Sequence, residues 1–281
     1  MAEPTNTYEA TTRMTDVNGF PIHTNEAGSG PVLFGFHGGG PGANAWDNSK
    51  HNIDALAEHF HVILMDMPGF GHSTKDSVIK EGETLDRANA RIIREFMDVR
   101  GIEKANLYGS SQSGPACMRF GLEYPDRTLK IVLQASGPGG PNWFTPSPPQ
   151  GIQALGVFQN EPTYENMTAM MRNFVPDAKL LTDDMIQARF DAAMIPGHLE
   201  ARARIATVRN SDLRMEIGRL QAEVLVVWGN QDRMVPMEGA LGALAAIPKV
   251  RVHLWGGVSG HFVEYEHADE FNRLVIDFLT H

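Results

Sequence analysis

The sequence is poor in several features that would each have fixed a class of protein. It has one cysteine, Cys117, among 281 residues, which excludes an internal disulfide framework and fits a reducing compartment. No stretch approaches the ~18 apolar residues of a membrane span. There is no run of Lys or Arg, and the net charge of −10 repels both nucleic acid and anionic lipid. The opening residues, Met1 to Met14, are polar and lack the apolar core of a signal peptide, so a cytoplasmic location is expected. There is no internal repeat and no low-complexity segment. A G-x-x-x-x-G-K-[ST] motif is absent and the glycine spacing does not fit G-x-G-x-x-G, which weakens a phosphate-binding reading. No cofactor or metal is expected.

What is present is ordinary for a globular chain, with 42% hydrophobic and 21% charged residues. A chain of this size buries roughly 75% of its unfolded surface and needs no metal or disulfide staple. Short, nearly continuous apolar runs recur at Val32–Phe36, His61–Asp66, Ala105–Tyr108, Ile131–Gln134, Val224–Trp228 and Val250–Trp255. They read as strands covered on both faces, the pattern of a parallel sheet. Helical spacing over Thr84–Arg100 and Glu238–Ala246, and a helical segment Gly114–Tyr124 that follows directly on a strand, alternate with them, so a mostly parallel, doubly wound α/β sheet is expected. The alternation fails once, between Gln134 and Val224, where the chain is far longer than the ~30 residues of a simple crossover unit. This excess opens on a Pro/Gly/Ser-rich run and continues with helix-like segments at Tyr164–Asn173 and Asp183–Ala193. Residues 144–210 are expected to form a helical lid over a core made of 1–143 and 211–281; a small second domain without a catalytic role is the alternative.

The strongest local signal is Gly109-Ser110-Ser111-Gln112-Ser113-Gly114-Pro115, placed between an apolar strand and a helix. That is the context of a G-x-S-x-G nucleophile elbow, in which a sharp turn between small residues lifts one serine to the top of the sheet. Only Ser111 has glycine two residues before it and a small residue two after, although serine stands at 113 where glycine is usual. A serine is a weak nucleophile without a base, and the base needs orienting. Two later strand ends supply both: Gly229-Asn230-Gln231-Asp232 places a carboxylate, and Gly256-Gly257-Val258-Ser259-Gly260-His261 places a histidine after a Gly-rich loop. The order serine, acid, histidine is that of α/β-hydrolases, and catalytic groups in open α/β sheets gather at that edge. Asp183 and Asp184 fall in the expected lid and are set aside. After the first apolar strand comes His37-Gly38-Gly39-Gly40-Pro41-Gly42, a loop able to turn backbone N–H groups inward. Gly39 and Gln112 are the expected oxyanion donors, each worth roughly 3–4 kcal/mol, with Gly38 and Gly40 beside the substrate. His37 is expected to hold the loop rather than to transfer protons.

Taken together, these segments resemble the meta-cleavage-product hydrolases, C–C bond hydrolases of bacterial aromatic catabolism. The resemblance runs from about Gly19 to the C-terminus. It is carried by His37-Gly38-Gly39-Gly40-Pro41-Gly42-Ala43, Asp66-Met67-Pro68-Gly69-Phe70-Gly71 and Leu122-Glu123-Tyr124-Pro125-Asp126-Arg127. The segment Glu266-His267-Ala268-Asp269-Glu270-Phe271-Asn272-Arg273 looks like the biphenyl-pathway members in particular. The resemblance implies an α/β-hydrolase fold and a substrate of the 2-hydroxy-6-oxohexa-2,4-dienoate type, cleaved through an acyl-enzyme. It also implies that Arg189 and Asn48 bind the dienoate end. Two positions depart from the family pattern: Ser110 stands for an asparagine and Phe262 for a tryptophan, both near that same end. Met167, Met170, Met171, Met185 and Met194 fall in the lid that would partly line the distal pocket, although a methionine stripe is more often lid core, and Trp143 and Phe144 at the lid entrance are placed to flank an aryl group. The expected partners are a small-molecule substrate and further copies of the chain in a homo-oligomer, a dimer or larger.

A carboxylesterase or lactonase would use the same three residues, and a non-catalytic ligand receptor could share the fold. Dehalogenase and epoxide hydrolase readings need an acidic nucleophile, which Ser111 excludes. Replacing Ser111→Ala is expected to abolish turnover while substrate still binds, whereas Ser113→Ala keeps most activity. Steady-state rates of the two variants check this, and a dead Ser113→Ala beside a live Ser111→Ala would identify the wrong serine.

Overall fold

Alternate residues of each central strand feed opposite faces of one sheet. In Glu223–Gly229, Val224, Val226 and Trp228 enter one apolar cluster, and Leu225 and Val227 enter the other. Period-two side-chain alternation therefore fills two cores, and the strands read as unbroken apolar runs because neither face is wet. The structure, a computed structural model, describes residues 5–138 and 149–281.

The described residues form eight strands: β1 Thr12–Val17, β2 Phe20–Ala27, β3 Val32–Phe36, β4 His61–Met65, β5 Ala105–Ser110, β6 Thr128–Gln134, β7 Glu223–Gly229 and β8 Val250–Trp255. They lie in the order β1-β2-β4-β3-β5-β6-β7-β8. All pairs from β4 to β8 are parallel, and β1 and β2 join antiparallel at one edge. The expected doubly wound α/β sheet is thus present, extended by an antiparallel pair that the apolar pattern does not reveal. β1 is largely exposed, so it carries no apolar run. Leu85–Val99 and Gly114–Glu123 cover one face through residues such as Ile92, Phe96 and Phe120, and Ala268–Thr280 covers the other through Phe271, Val275 and Phe278.

Between β6 and β7 the described chain forms four α-helices, Gln150–Asn160, Tyr164–Phe174, Asp183–Ala193 and His198–Ala206. The second and third are the two helices expected there, and Thr163 and Thr182 cap them by accepting from backbone N–H groups of their first turns. These helices have an apolar core of their own, which closes on Met234 and Phe262 from the loops after β7 and β8. Met167, Met170 and Met171 are buried in that core and Met194 is exposed. The stripe follows helical spacing because it packs helix on helix, which is the core reading of these methionines rather than the pocket-lining one. Trp143 and Phe144 lie outside the described residues.

Candidate active site

β5 ends at Ser110 and the helix Gly114–Glu123 begins four residues later, so the chain must reverse within a single 3₁₀ turn. Ser111 takes a φ of +51° to do so, a left-handed conformation that costs a non-glycine residue of order 1–3 kcal/mol. The turn is possible because its neighbours are small. A Cβ at Gly109 would lie 2.7 Å from Cys117 Sγ, and one at Gly114 would lie 2.1 Å from Ser136 Oγ. Close packing therefore demands glycine at 109 and 114, and position 113 is free to differ. Ser113 uses that freedom: its buried hydroxyl donates to the His37 carbonyl at 2.5 Å, joining the elbow to the glycine loop.

That loop is fixed from the other side by His37. The Met67 N–H donates to His37 Nε2 at 3.0 Å, and Nδ1 lies 2.6 Å from the Gly38 carbonyl. A nitrogen that accepts an N–H carries no proton, so the proton sits on Nδ1 and is donated to Gly38. Burial lowers the imidazole pKa and keeps it neutral. His37 is a strut, as its place in the sequence suggests. Gly38 faces the elbow, where a Cβ would lie 3.3 Å from Ser111 Cβ, and a Cβ on Gly39 would collide with the Gln112 side chain.

The loops after β7 and β8 meet at the same end of the sheet. Gly229 permits this, since a Cβ there would stand 2.1 Å from the Gly260 carbonyl. Gln231 N–H donates to Ser259 O at 2.8 Å. Asp232 then accepts from Met234 N–H and Val235 N–H through Oδ1, at 2.8 and 3.0 Å, and Oδ2 accepts from His261 Nδ1 at 2.7 Å. Both side chains are almost wholly buried. The acceptor-only carboxylate puts the imidazole proton on Nδ1 and leaves Nε2 as a base. The His261 backbone is held twice more: its N–H donates to Phe174 O at 2.8 Å, and its carbonyl accepts from Gln134 Nε2 at 2.7 Å. Glu266 adds a third grip by accepting from the Gly260 and Phe262 N–H groups; burial pushes its pKa up to about 7.

A cavity of about 330 Å³ brings Ser111, Gln112, His261, Gly38, Gly39, Gly40, Asn48, Arg189 and Phe262 onto one wall system. Asp232 stands behind His261, and Ser110 is fully buried beneath the glycine loop; neither is among the residues lining the cavity. Arg189 is buried, donates its Nε–H to the Pro41 carbonyl at 2.6 Å, and lies over the rings of Phe174 and Phe262 at 5.7 and 6.0 Å. Burial brings its pKa down to about 10, so it remains a cation at neutral pH. It has no ion-pair partner among the described residues. Phe262 stacks on Phe174 with centroids 4.8 Å apart, filling with a flat apolar contact the place where the family pattern has a tryptophan.

Several residues here carry no motif of their own in the sequence. Gln134 looks like one more strand residue until its amide is seen gripping the His261 carbonyl. Ala135, Ser136 and Gly137 line the cavity just after β6, and Ala135 has a φ of +47°. Glu264 is buried beside Asn48, whose Nδ2 donates to Glu264 Oε1 at 3.2 Å; burial raises the Glu264 pKa well above the usual carboxylate range.

A strand-end serine in a left-handed turn, a buried Asp–His pair on the loops two and three strands away and a glycine loop beside them are the architecture of an α/β hydrolase. A family model for the alpha/beta hydrolase fold matches residues 31–268. The chain is 37% identical to 2-hydroxy-6-oxo-6-phenylhexa-2,4-dienoate hydrolase of Burkholderia cepacia, over 100% of this chain and 98% of that protein. It is 38% identical to 2-hydroxy-6-oxononadienedioate/2-hydroxy-6-oxononatrienedioate hydrolase of Paraburkholderia phymatum, over 92% of this chain and 90% of that one. A solved meta-cleavage product hydrolase from Pseudomonas fluorescens superposes with a TM-score of 0.85 at 27% identity, covering 95% of this chain and 97% of that one. The chain belongs to the α/β-hydrolase family and, within it, to the meta-cleavage product hydrolases.

The Glu264 carboxyl gives a pH test. Its pKa is raised in the folded state, so above about 4.5 the unfolded chain loses this proton while the folded chain keeps it. The unfolded state then binds fewer protons, and this group lowers stability as pH rises until the folded carboxyl ionises as well. Glu264→Gln keeps an acceptor for Asn48 and removes the penalty. Thermal unfolding is expected to show the variant more stable by at least ~2 °C at pH 8 and unchanged near pH 4. An equal gain at both pH values, or a loss at pH 8, would refute this.

Proposed function

We propose that this chain hydrolyses the C–C bond of a 2-hydroxy-6-oxohexa-2,4-dienoate-type ring-fission product, with Ser111 as nucleophile, His261 as base and Asp232 as the residue that orients it. The observation that carries the reading is the coincidence, in one cavity, of Ser111, the free edge of the Asp232-bound His261 and the buried, unpaired Arg189. An esterase needs only the first two. A cation buried without a carboxylate partner calls for an acid among its substrates.

In this reading Arg189 and Asn48 hold the substrate carboxylate and its neighbouring oxygen, with Phe262 and Ser110 shaping that end. A proton transfer first converts the dienol to its keto form, which turns the C5–C6 bond into one that can break. Ser111 Oγ, losing its proton to His261 Nε2, adds to the C6 carbonyl. The backbone N–H groups of Gly39 and Gln112 receive the oxyanion, with Gly38 and Gly40 packed around it. Collapse breaks the C5–C6 bond, His261 gives the proton it took from Ser111 to the departing dienolate, 2-hydroxypenta-2,4-dienoate leaves, and the remainder stays as an ester on Ser111. Water, deprotonated by His261, then attacks that ester and frees a carboxylic acid and Ser111. One water is consumed and no cofactor is required.

Residues 144–210 act in this reading as a lid over a core of 1–143 and 211–281. Phe174 O on His261 N–H and Arg189 Nε on Pro41 O support it, because both tie the inserted helices to the reacting groups. A homo-oligomer and a cytoplasmic setting belong to the same proposal. The relatives' names divide by what C6 carries, a phenyl ring in one and a chain ending in a second carboxyl in another, and either would enter the same chemistry.

Loss of the yellow dienol absorbance, measured beside release of nitrophenol from an ester, tests the proposal. Turnover of the dienol at 1–10³ s⁻¹, the common range for enzymes, is expected, with the ester far slower. Rapid ester hydrolysis with an inert dienol would make the chain an esterase.

A further inference from the structure

The cavity holds a second buried guanidinium that the reaction above leaves unused. Arg202 lies on the helix His198–Ala206, is 7% exposed, and lines the same cavity as Ser111 and His261. On that helix Ala201 and Ile205 pack against Gly69, where a Cβ would stand 3.6 and 2.5 Å from their side chains. That packing fixes the helix's rotation, so Arg202, one residue beyond Ala201, is held on the cavity side. Its Nε is buried without a hydrogen-bond partner, and no ion pair to it is found among the described residues. His198, one turn earlier, cannot supply an anion: its Nε2 accepts from Gly42 N–H at 2.9 Å, and burial lowers its pKa to about 3, so it is neutral.

Leaving a cation buried and unpaired is costly, and this cavity does so twice. The Arg202 charge is felt at Arg189, and burial brings the pKa of each down to about 10. A single carboxylate would neutralise one charge and leave the other repelling its neighbour in a space of about 330 Å³. The two cations are also anchored separately. Arg189 is tied to Pro41 and clasped by Phe174 and Phe262 on the His261 side, whereas Arg202 comes from a different helix and shares the cavity with the amide of Asn210. Two fixed cations on different elements fit two anionic groups on one substrate.

We infer that Arg202, with Asn210, is a specificity determinant that selects a dicarboxylate ring-fission product, in which the C6 substituent is a short chain ending in a carboxylate. This rests on the C–C hydrolase reading and deepens it. Arg189 holds the dienoate carboxylate common to all such substrates, and Arg202 receives the second one. A phenyl group at C6 would leave the Arg202 guanidinium desolvated and unpaired, so it is the poorer substrate.

The test compares 2-hydroxy-6-oxonona-2,4-diene-1,9-dioate with its C6-phenyl counterpart on the wild type, Arg202→Met and Arg202→Lys. The wild type should prefer the dioate by about 10-fold or more in kcat/KM. Arg202→Met should lose about 100-fold on the dioate, mainly through KM, and change little on the phenyl substrate; Arg202→Lys should recover part of the dioate loss. Circular dichroism of each variant separates misfolding from lost binding, and the wild-type preference stands as evidence without either variant. Equal losses on both substrates would mean that Arg202 binds the shared dienoate end, and a wild type that prefers phenyl would refute the inference while sparing the C–C hydrolase reading. A wild type that turns over neither dienol overturns both.

Discussion

The 2.7 Å hydrogen bond from His261 Nδ1 to Asp232 Oδ2 is the contact on which the rest of the site depends, and it exists only because two loops from neighbouring strands meet. β7 delivers Asp232 and β8 delivers His261, and their approach is set by Gly229, which has no side chain to keep the Gly260 carbonyl away. Buried as it is, the carboxylate is satisfied by two backbone N–H groups besides the imidazole, so desolvation is offset by directed donors. Further anchors reach His261 from outside its own loop, Gln134 on β6 and the Phe174 carbonyl at the end of an inserted helix. The position of one imidazole thus reports on the sheet and the inserted helices together.

The proposed nucleophile is placed by a different balance. Ser111 is forced into a left-handed turn, and the strain is held by dense packing of Gly109 on Cys117 and Gly114 on Ser136. Ser113 adds a bond to the His37 carbonyl and His37 is pinned by Met67, so the elbow and glycine loop form one hydrogen-bonded unit. A donor pair for a developing oxyanion is useful only if it does not have to move, and in the proposed reaction that unit would keep Gly39 and Gln112 still.

Much of this was legible in the sequence because the chemistry is local to strand ends. Six of the strands read as apolar runs, and Ser111, Asp232 and His261 each follow one. What was illegible depends on contacts between distant segments. β1 is an exposed edge strand and β2 buries the polar His23, Thr24 and Asn25, so neither shows an unbroken apolar run. The serine at 113 looked like a weakness in the motif, yet the glycine that packing demands is Gly114. The methionine stripe Met167, Met170 and Met171 follows helical spacing whether it lines a pocket or a helix interface, and the interface is where it lies. Arg202 was invisible for the opposite reason: an arginine among charged helix residues reads as solvent-facing, and only burial without a partner sets it apart.

The central claim is that Ser111, activated through His261 and Asp232, is the nucleophile, and covalent labelling addresses it directly. After exposure to a fluorophosphonate, peptide mapping by mass spectrometry should find a single adduct on Ser111, formed at least ~100-fold more slowly in His261→Ala. An adduct on Ser110 or Ser113, or labelling of Ser111 at an undiminished rate without His261, would contradict the account.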